Sequence, residues 1–540
     1  MPGTRPNVLW ICTDQQRHDT IRALGNPHIN TPCIDELVSK GVSFTHAFAQ
    51  SPVCTPSRAA FMTGRYPRTT KCRQNGQAMP ANEKLVSRLF ADAGYTCGLA
   101  GKLHLATCAN GVVETRIDDG YRIFHWSHHP QPDWPENAYT QWLHDKGTSW
   151  EELYGGPSTN YIKHGVPEEY NQTTWCAEKA IEFIHEQKGD PWFFSYNCFA
   201  PHHPFDPPAD FLAHYSPHEL PLPKAKPGEL ETKTTYQQLD GEFAHNDPSS
   251  YDIARMTDRD KQEIIAAYYA MVELIDKQVG RMVVALEETG QLDNTIVIFM
   301  SDHGEMLGDH GFYLKGPHFY DEAVRVPLIF SWKERFAADL RADCLMELID
   351  IAPTLLEAAE NRGEGGSSKL DYRPDGRSFL SVLLGKADRH REFVYGLHNN
   401  IPEGPAYPIR TVSDGTYRYI RNLRPDELYI EKHLMGMKGN AVLNNPYWAT
   451  WVREAWANPH TYKLVKRYMH RPAEQLYHTA LDKYEMNNLA SDKSQATRLK
   501  RMRAELDRWM KTQGDPGAQV DTQKAIQAAR QGKHLHGPAN

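Results

Sequence analysis

Three uninterrupted apolar runs mark the chain, and each one ends abruptly at polar residues. The runs are Asn7–Thr13, Pro191–Asn197 and Asn294–Ser301. An unbroken apolar run of this length is typical of a strand that is buried on both faces of a sheet. We therefore expect these runs to form central strands of a sheet that is covered on both sides.

Helical periodicity fills the intervals between the apolar runs. It is clearest from Arg259 to Thr289, and Gly290 supplies the glycine that commonly follows a helix. Buried strands that alternate with helices predict an α/β fold with a large, mostly parallel sheet flanked by helices. In such a sheet, ligands bind beyond the carboxyl ends of the strands.

The character of the sequence changes near residue 385. Arg410–Val412 and Thr416–Ile420 alternate in the manner of antiparallel strands, and Ala496–Lys511 has the periodicity of a late helix. We therefore divide the chain into a catalytic α/β domain (1–385), a smaller C-terminal subdomain with an antiparallel sheet and a helix (386–513), and a tail (514–540). The tail is polar and weakly patterned, which favours mobility and leaves an arm of a homo-oligomer open.

Composition excludes several classes of protein. The 60 basic and 68 acidic residues give a net charge of −8 without a strong basic block, which argues against a nucleic-acid partner. No stretch approaches the roughly 18–20 apolar residues that cross a membrane. Met1–Pro6 lacks the apolar core of a signal peptide, so we expect a cytoplasmic protein, or a periplasmic or secreted one if a signal has been removed. The nine scattered cysteines form no C-x-x-C pair, which disfavours a thiolate zinc site.

Two aspartates follow apolar runs directly. Asp14 comes after the first run and Asp302 after the last, and each is followed by another side chain that binds metals, Gln15 and His303. A single aspartate in such a place is often only a helix N-cap. Two of them at one sheet edge, with an amide and an imidazole, indicate a site for a divalent cation such as Ca²⁺ or Mn²⁺.

Cys54 is the candidate nucleophile. Pro56 fits the first turn of a helix, so Cys54 is expected at a helix N-terminus, where backbone N–H groups favour anions. Arg58 adds a positive charge one turn later. A buried thiol beside a capping proline would have the same pattern. A cysteine-phosphatase loop is excluded, because it requires an arginine where Ala60 stands.

The segment Cys54-Thr-Pro-Ser-Arg58, followed by Thr63-Gly-Arg65, resembles the signature of the type I, formylglycine-dependent sulfatases of the alkaline-phosphatase superfamily. The resemblance extends from about residue 5 to residue 490. In Asn30–Asp35, Cys33 replaces the family's usual asparagine. Further segments with matching order and spacing are Arg5–Leu9, Gly101–His104, Pro201–Pro204, Ser301–Glu305, Leu314–Gly316, Arg325–Pro327, Asp350–Leu355, Leu476–His478 and Glu485–Leu489.

The resemblance implies an alkaline-phosphatase-like fold and a sulfuric ester hydrolase. A formylglycine-generating enzyme would oxidise Cys54, and the hydrated aldehyde would be the nucleophile. The metal would be Ca²⁺, with Mn²⁺ or Mg²⁺ as alternatives. Its ligands would be Asp14, Gln15, Cys54, Asp302 and His303.

The resemblance also implies roles for the remaining catalytic residues. Arg58 and Lys102 would orient the aldehyde hydrate, and Lys315 would bind a sulfate oxygen. His202 would protonate the leaving oxygen, and His104 would take a proton from the second hydroxyl group of the hydrate. Each half-reaction would thus have its own acid–base group.

The metal ligands depart from the commonest pattern of the family, which is Asp-Asp after the first strand and Asp-Asn after the later one. Asp14–Gln15 and Asp302–His303 resemble instead the phosphonate monoester hydrolases, and Gln74–Asn75 falls where those enzymes have a polar pocket residue. A phosphonate monoester or phosphodiester hydrolase is therefore the alternative function. A non-catalytic sulfate- or glycan-binding protein is a second alternative, and it requires that Cys54 escapes oxidation.

Substrate recognition is expected from Asn75, His310 and His318 and from loops over the sheet edge, at about 105–170, 205–260 and 395–460. Aromatic rings with interspersed cations favour a sulfated carbohydrate and leave an aryl sulfate open. The residues that carry this composition are Trp126, His128, His129, Trp134, Tyr154, Tyr407, Arg410 and Trp448.

Overall fold

The computed structural model describes most of the chain between residues 5 and 520. The described residues are 5–108, 113–131, 133–155, 159, 161–187, 189–224, 256–316, 319–360, 372–399, 408–426, 452–459, 461–462, 465–466, 472–482, 485 and 487–520. Their strands are β1 (Asn7–Thr13), β2 (Val42–Phe48), β3 (Thr96–Gly101), β4 (Ile123–Trp126), β5 (Trp192–Asn197), β6 (Thr295–Ser301), β7 (Arg325–Val326), β8 (Leu328–Ser331), β9 (Leu340–Glu347), β10 (Val394–His398), β11 (Ile409–Ser413), β12 (Tyr417–Asn422) and β13 (Glu474–His478).

The predicted large sheet is confirmed as a nine-stranded, mostly parallel sheet with the strand order β4-β3-β5-β1-β6-β8-β2-β7, in which β9 also pairs with β2. The three apolar runs form its centre: β1 lies between β5 and β6 and pairs with both in parallel. β8 is antiparallel to β6 and to β2. Every residue of β1, β5 and β6 is buried, which explains why their sequences do not alternate.

Helices cover both faces of this sheet. They are α1 (Pro32–Ser39), α2 (Cys54–Thr63), α3 (Pro67–Thr70), α4 (Val86–Asp92), α5 (Ala138–Asp145), α6 (Trp150–Leu153), α7 (Gln172–Glu186), α8 (Ala209–Leu212), α9 (Asp258–Glu288), α10 (Asp321–Val324), α11 (Ile351–Glu360), α12 (Leu380–Leu383) and α13 (Ala496–Thr512). The predicted long helix is confirmed as α9. It begins with a capping box between Thr257 and Asp260, and Gly290 follows it with a φ of 68°.

The two faces of β1 belong to two separate hydrophobic cores. Leu9 and Ile11 pack with α7 and α9 on one face. Val8 and Trp10 pack on the other face with residues of α2, α4 and α11. The sheet is therefore the middle of three layers, and its strand ends are the places where polar side chains reach a common edge.

The predicted C-terminal subdomain contains an antiparallel sheet in the order β10-β11-β12-β13, packed against α13. The start of the predicted mobile tail is not loose. Asp515 is fully buried in an ion pair with Arg410, whose Nε lies 2.6 Å from its Oδ2. Arg424 donates to the carbonyl of Ala518 at 2.9 Å. Residues 514–520 are thus packed on the subdomain, and the rest of the tail lies outside the described residues.

The carboxyl ends of the parallel strands bring the motifs together. Asp14 follows β1, Lys102 follows β3, the segment Pro201–Pro204 follows β5 and Asp302 follows β6. β2, which is parallel to these strands, leads into Cys54. Within the described part of the chain, no helix is long and apolar enough to span a membrane.

Candidate active site

Cys54 is the first residue of α2 and lies at the floor of the site. Its Sγ is 3.1 Å from His303 Nε2, 3.0 Å from Lys315 Nζ and 3.9 Å from both Asp14 Oδ1 and Lys102 Nζ. Its side chain is buried, as is all of α2. Burial raises the pKa of the Cys54 thiol, but the ammonium groups of Lys102 and Lys315 outweigh that effect and lower the pKa to about 7. The site therefore stabilises negative charge at this position.

Four side chains offer metal-ligating atoms that converge on one point. Asp14, Cys54, Asp302 and His303 are all buried, and one ligand atom from each lies within 4.8 Å of the other three. The Nδ1 of His303 lies 2.9 Å from the carbonyl oxygen of Gly304, so Nδ1 donates a hydrogen bond there and Nε2 is left to face the cluster. Two carboxylates, an imidazole and a sulfur atom fit a divalent cation.

Gln15 has the backbone conformation that a ligand at a strand end requires. Its φ is 67°, and its backbone N–H donates to Asp302 Oδ1 at 3.0 Å. Its Nε2 donates to Glu305, so its Oε1 is directed towards Lys315, whose Nζ lies 2.8 Å away. The amide oxygen is thus beside the cluster and available as a further hard ligand.

Lys102 and Arg58 neutralise the two carboxylates. Lys102 forms an ion pair with Asp14, and Arg58 donates from Nε to Asp302 Oδ2 at 2.8 Å. All four side chains are fully buried or nearly so. Burial acts to raise the pKa of Asp14, but Lys102 and Arg58 hold it well below its ordinary value. The Asp14 carboxylate is therefore charged and ready to accept a cation.

The Gly101–His104 turn presents Lys102 and His104 to the site. Gly101 has a φ of 105°, and a Cβ there would lie 2.0 Å from the carbonyl oxygen of Asn197, so no other residue fits without a shift. His104 has a φ of 56°. Its Nε2 lies 3.0 Å from the hydroxyl oxygen of Thr55, the neighbour of Cys54.

His202 and Lys315 form the half-buried rim of the site. Lys315 Nζ lies 2.6 Å from His202 Nε2, while His202 Nδ1 lies 2.6 Å from the carbonyl oxygen of His203. His202 is therefore the neutral Nε2-acceptor tautomer with Lys315 as donor. Burial and the Lys315 ammonium lower the pKa of His202 well below its usual value. Lys315, the donor of this pair, also lies 3.0 Å from Cys54 Sγ, so its proton is within reach of the nucleophile.

The structure places the predicted substrate residues in different surroundings. Asn75 lies beside the site, where its Oδ1 accepts a hydrogen bond from the backbone of Thr55 at 3.0 Å. His310 is stacked on Tyr320 and lies 3.3 Å from Glu322 Oε2, and is directed there and not towards Cys54. His318 lies outside the described residues, as do Tyr407 and Trp448.

Two residues from the predicted recognition loops are structural. Arg410 is a fully buried residue of β11, held by Asp515, because an arginine inside a sheet needs a buried carboxylate. Trp126 ends β4 and donates from its indole N–H to Glu114 at 2.6 Å. His128 and His129 do lie next to the site, since the ring of His128 contacts that of His104.

Sequence reasoning missed two buried glutamates that support the site. Glu114 accepts hydrogen bonds from the backbone N–H groups of His104 at 2.9 Å and Leu105 at 2.8 Å. Glu305 accepts from the backbone of Leu307 at 2.9 Å and from the Gln15 side chain. Glu305 lies in the segment Ser301–Glu305, which matches the family, and this match could have pointed to its role. Glu114 has no such signal, because two of its donors are backbone groups and the third, the Trp126 indole, belongs to no motif.

A family model described as Sulfatase matches residues 6–361, which is more than half of the chain. The chain belongs to the sulfatase family. This membership confirms the predicted superfamily, that of alkaline phosphatase, and the prediction of a sulfuric ester hydrolase.

Characterised relatives resemble most of the chain. It is 28% identical over 409 residues to an arylsulfatase of Clostridium perfringens, covering 73% of this chain and 82% of the relative. It is 27% identical over 523 residues to a multifunctional alkaline phosphatase superfamily protein of Trinickia caryophylli, covering 87% and 98%.

Solved structures share the fold. A phosphonate monoester hydrolase of Agrobacterium radiobacter aligns with a TM-score of 0.74 at 21% identity, covering 94% of this chain and 96% of the other. A structure described as a complex with its substrate D-glucosamine-2-N,6-O-disulfate aligns with a TM-score of 0.65 at 19% identity, covering 95% and 99%. At these identities the likeness concerns the fold alone.

Proposed function

We propose that this sulfatase hydrolyses a sulfate monoester with a formylglycine nucleophile made from Cys54 and a divalent cation, preferably Ca²⁺, held by Asp14, Gln15, Asp302, His303 and the modified Cys54. The observation that carries the proposal is the convergence of four buried ligand atoms on one point beside two lysines. When bound, the cation would act as a Lewis acid and draw electron density from the sulfuryl oxygens.

The protein's own cations do the rest of the charge neutralisation. Lys315 Nζ, 3.0 Å from Cys54 Sγ, is placed to donate to a sulfuryl oxygen of the bound ester. Lys102 forms an ion pair with Asp14 and keeps that carboxylate charged. Its Nζ also lies 3.9 Å from Cys54 Sγ, so it orients the nucleophile. Arg58 holds Asp302 in place and does not reach outward. Fixed donors of this kind stabilise charge that builds up in the transition state.

Two histidines divide the proton transfers. His202 takes a proton from the Lys315 ammonium at Nε2 and delivers it to the leaving alkoxide on the open side of the site. His104, held against Thr55 on the closed side, takes the proton that must leave the Cys54-derived group to release sulfate. The two imidazoles lie on different loops, after β3 and after β5, so each is available for one half-reaction.

The substrate is a sulfated carbohydrate in this proposal, with an aryl sulfate as the alternative leaving group. Relatives described as ulvan-active sulfatases of Formosa agariphila support the carbohydrate, and the arylsulfatase supports the alternative. A formylglycine-generating enzyme is the required maturation partner. A homo-oligomer stays a prediction that depends on residues 521–540.

Phosphonate monoester or phosphodiester hydrolysis is the second candidate function. Gln15 and His303 favour it, because His303 stands in the cluster, and Gln15 beside it, where the family's commonest pattern has an amide and a carboxylate, and so they make the site softer and less negative. The non-catalytic alternative is disfavoured by the filled positions of all the catalytic side chains, from Cys54 to Lys315.

The mass of the Cys54 peptide tests the maturation step directly. Protein co-expressed with a formylglycine-generating enzyme is digested, and the peptide is expected to show the mass change in which aldehyde oxygen replaces the thiol. Cys54→Ser protein is the matched control. An unmodified, fully reduced Cys54 in protein that nevertheless hydrolyses sulfate esters would contradict the proposal.

A further inference from the structure

Three imidazoles form one side of the site, and we call His104, His128 and His129 the imidazole wall. The ring of His128 lies edge-on to that of His104, with centroids 4.3 Å apart, and the ring of His129 follows at 5.1 Å. His128 and His129 come directly after β4, at the same sheet edge as the catalytic residues. The wall therefore begins at the acid–base residue His104 and runs away from Cys54.

Each imidazole of the wall has a nitrogen without a partner. The Nδ1 atoms of all three histidines are buried, and none has a hydrogen bond within the described part of the chain. His104 and His128 are each only 8% exposed. A buried polar atom without a partner costs about 1–3 kcal/mol, and native proteins rarely keep one. The three adjoining rings therefore have hydrogen-bonding capacity that the described part of the protein does not use.

The wall borders the side from which the alcohol leaves. The ring of His129 lies 6.0 Å from that of Phe199, and Phe199 in turn lies 4.5 Å from His202, the residue that protonates the leaving oxygen. Trp134 extends the wall outward at 6.4 Å from His129. His129, Phe199 and Trp134 are half-buried, so this end of the wall is open to a bound group.

The charge of the wall defines the chemistry of that group. Burial, reinforced by His128 and Lys102, lowers the pKa of His104 well below its usual value, and burial and Lys102 lower that of His129 to about 4. Burial also lowers the pKa of His128, with Lys102 next in effect. Neutral imidazoles have one N–H and one lone pair each, which match hydroxyl groups and not a second anion.

A second metal does not account for the wall. Among the described residues, the converging set of metal-ligating side chains is the one around Cys54, and the histidines of the wall are not part of it. Edge-to-face rings, moreover, do not direct three nitrogens at one point.

We propose that His128 and His129 bind hydroxyl groups of the leaving alcohol and so select a neutral, polyhydroxylated, sugar-like alcohol over a plain aryl alcohol. This inference rests on the proposed function, whose site it completes. Trp134 offers an apolar face at the open end of the wall, against which the ring of the sugar packs.

The test compares two substrates in one set of variants of the formylglycine-bearing enzyme. The kcat/KM for glucose 6-sulfate, whose leaving alcohol is neutral, is divided by that for 4-nitrophenyl sulfate, which has no hydroxyl groups to bind. We expect His129→Ala and His128→Ala each to lower this ratio at least ~10-fold, which corresponds to one lost hydrogen bond of about 1.4 kcal/mol. His125→Ala, in the same strand β4, is the matched control, and we expect it to leave the ratio unchanged.

The ratio separates binding from a structural role, because a distorted site slows both substrates equally. An unchanged ratio in His129→Ala would overturn the inference. Hydrolysis of 4-nitrophenyl sulfate without that of any monosaccharide sulfate would also overturn it, while leaving the proposed function intact. Hydrolysis of neither ester would instead refute the proposed function.

A binding measurement keeps the inference testable without catalysis. Calorimetry with Cys54→Ala protein and glucose 6-sulfate is expected to give a Kd that rises about 10-fold when His129→Ala is added. Equal affinities of the two proteins, with a normal heat of binding, would count against His129 as a ligand of the sugar.

Discussion

Two buried clusters of this protein contain the same kinds of side chain and do different work. Each has two carboxylates, an arginine and a histidine at the end of a strand. The active-site cluster comprises Asp14, Asp302, Arg58 and His303, and the second, which we call the interdomain cluster, comprises Glu347, Asp350, Arg391 and His390.

The interdomain cluster is closed by the protein's own donors. Glu347 accepts hydrogen bonds from the hydroxyl of Tyr66 at 2.6 Å and from the backbone of Tyr395, in β10, at 2.8 Å. Asp350 is held by Arg391 through both of its oxygens. No carboxylate oxygen of this cluster among the described residues lacks a donor. It therefore fastens the catalytic domain to the C-terminal subdomain.

The active-site cluster is left open on one side. Asp302 Oδ1 accepts hydrogen bonds from the backbone N–H groups of Gln15 and His303, but Asp14 Oδ1 lies 3.8 Å from His303 Nε2 and 3.9 Å from Cys54 Sγ, and no closer donor reaches it among the described residues. The comparison teaches that residue type alone does not make a metal site. Whether donors from the protein close the carboxylates decides between a structural and a functional cluster.

The largest expected effect comes from the open cluster. We expect Asp302→Asn to lower kcat/KM for a sulfate ester at least ~10²-fold, because a metal ligand and the charge partner of Arg58 are lost together. Metal content, measured by elemental analysis, is expected to fall in parallel. A variant that retains both metal and activity would contradict our assignment of the open cluster.

The closed cluster is expected to respond in the opposite way. Asp350→Asn leaves Arg391 buried with one carboxylate partner fewer, so the free energy of unfolding should fall by about 3–5 kcal/mol. The kcat of the fraction that stays folded is expected to change little. Denaturant unfolding and active-site titration measure the two quantities. Loss of kcat without loss of stability would contradict the structural role that we assign to the interdomain cluster.

The sequence predicted the central strands and most of the open cluster, because apolar runs and short motifs are local signals. Asp14, Cys54 and Asp302 lie directly at strand or helix ends, where such signals are strongest. It could not predict the burial of Arg410, since its partner Asp515 is 105 residues away. The substrate role of His310 stays a prediction, and its contact with Glu322, 12 residues further along the chain, carried no signal in the sequence.

Glu114 combines features of the two clusters. All its donors come from the protein, as in the interdomain cluster, yet it supports the turn that carries His104 in the active site. Its three donors are the backbone of His104 and Leu105 and the indole of Trp126. Glu114→Gln replaces one acceptor with a donor and shifts the His104 turn, so we expect kcat to fall about 10–100-fold with a smaller change in KM. Steady-state kinetics check this, with Glu219→Gln, whose side chain is 72% exposed, as the surface control. An unchanged kcat would show that the turn does not need Glu114.

The smallest expected effect concerns the pH dependence of stability. It comes from Asp206, whose carboxyl group stays protonated at neutral pH because it is buried. Burial raises its pKa to about 8 against a partly offsetting hydrogen bond from Tyr154. The native group therefore holds a proton between pH ~4 and about 8 that the unfolded chain releases, and stability falls as pH rises through that window. We expect Asp206→Asn to flatten this dependence, measured by urea unfolding at pH 5 and pH 8.5. Parallel pH profiles of the two proteins would contradict the assignment.

The central claim is that the open cluster serves a sulfatase nucleophile made from Cys54. The most direct measurement compares kcat/KM for 4-nitrophenyl sulfate and for a 4-nitrophenyl phosphonate monoester, with Ca²⁺ and with Mn²⁺, on protein co-expressed with a formylglycine-generating enzyme. The account predicts that sulfate turnover dominates and disappears in Cys54→Ala. Dominant phosphonate turnover with Mn²⁺ would contradict it and would make Gln15 and His303 the residues that define the reaction.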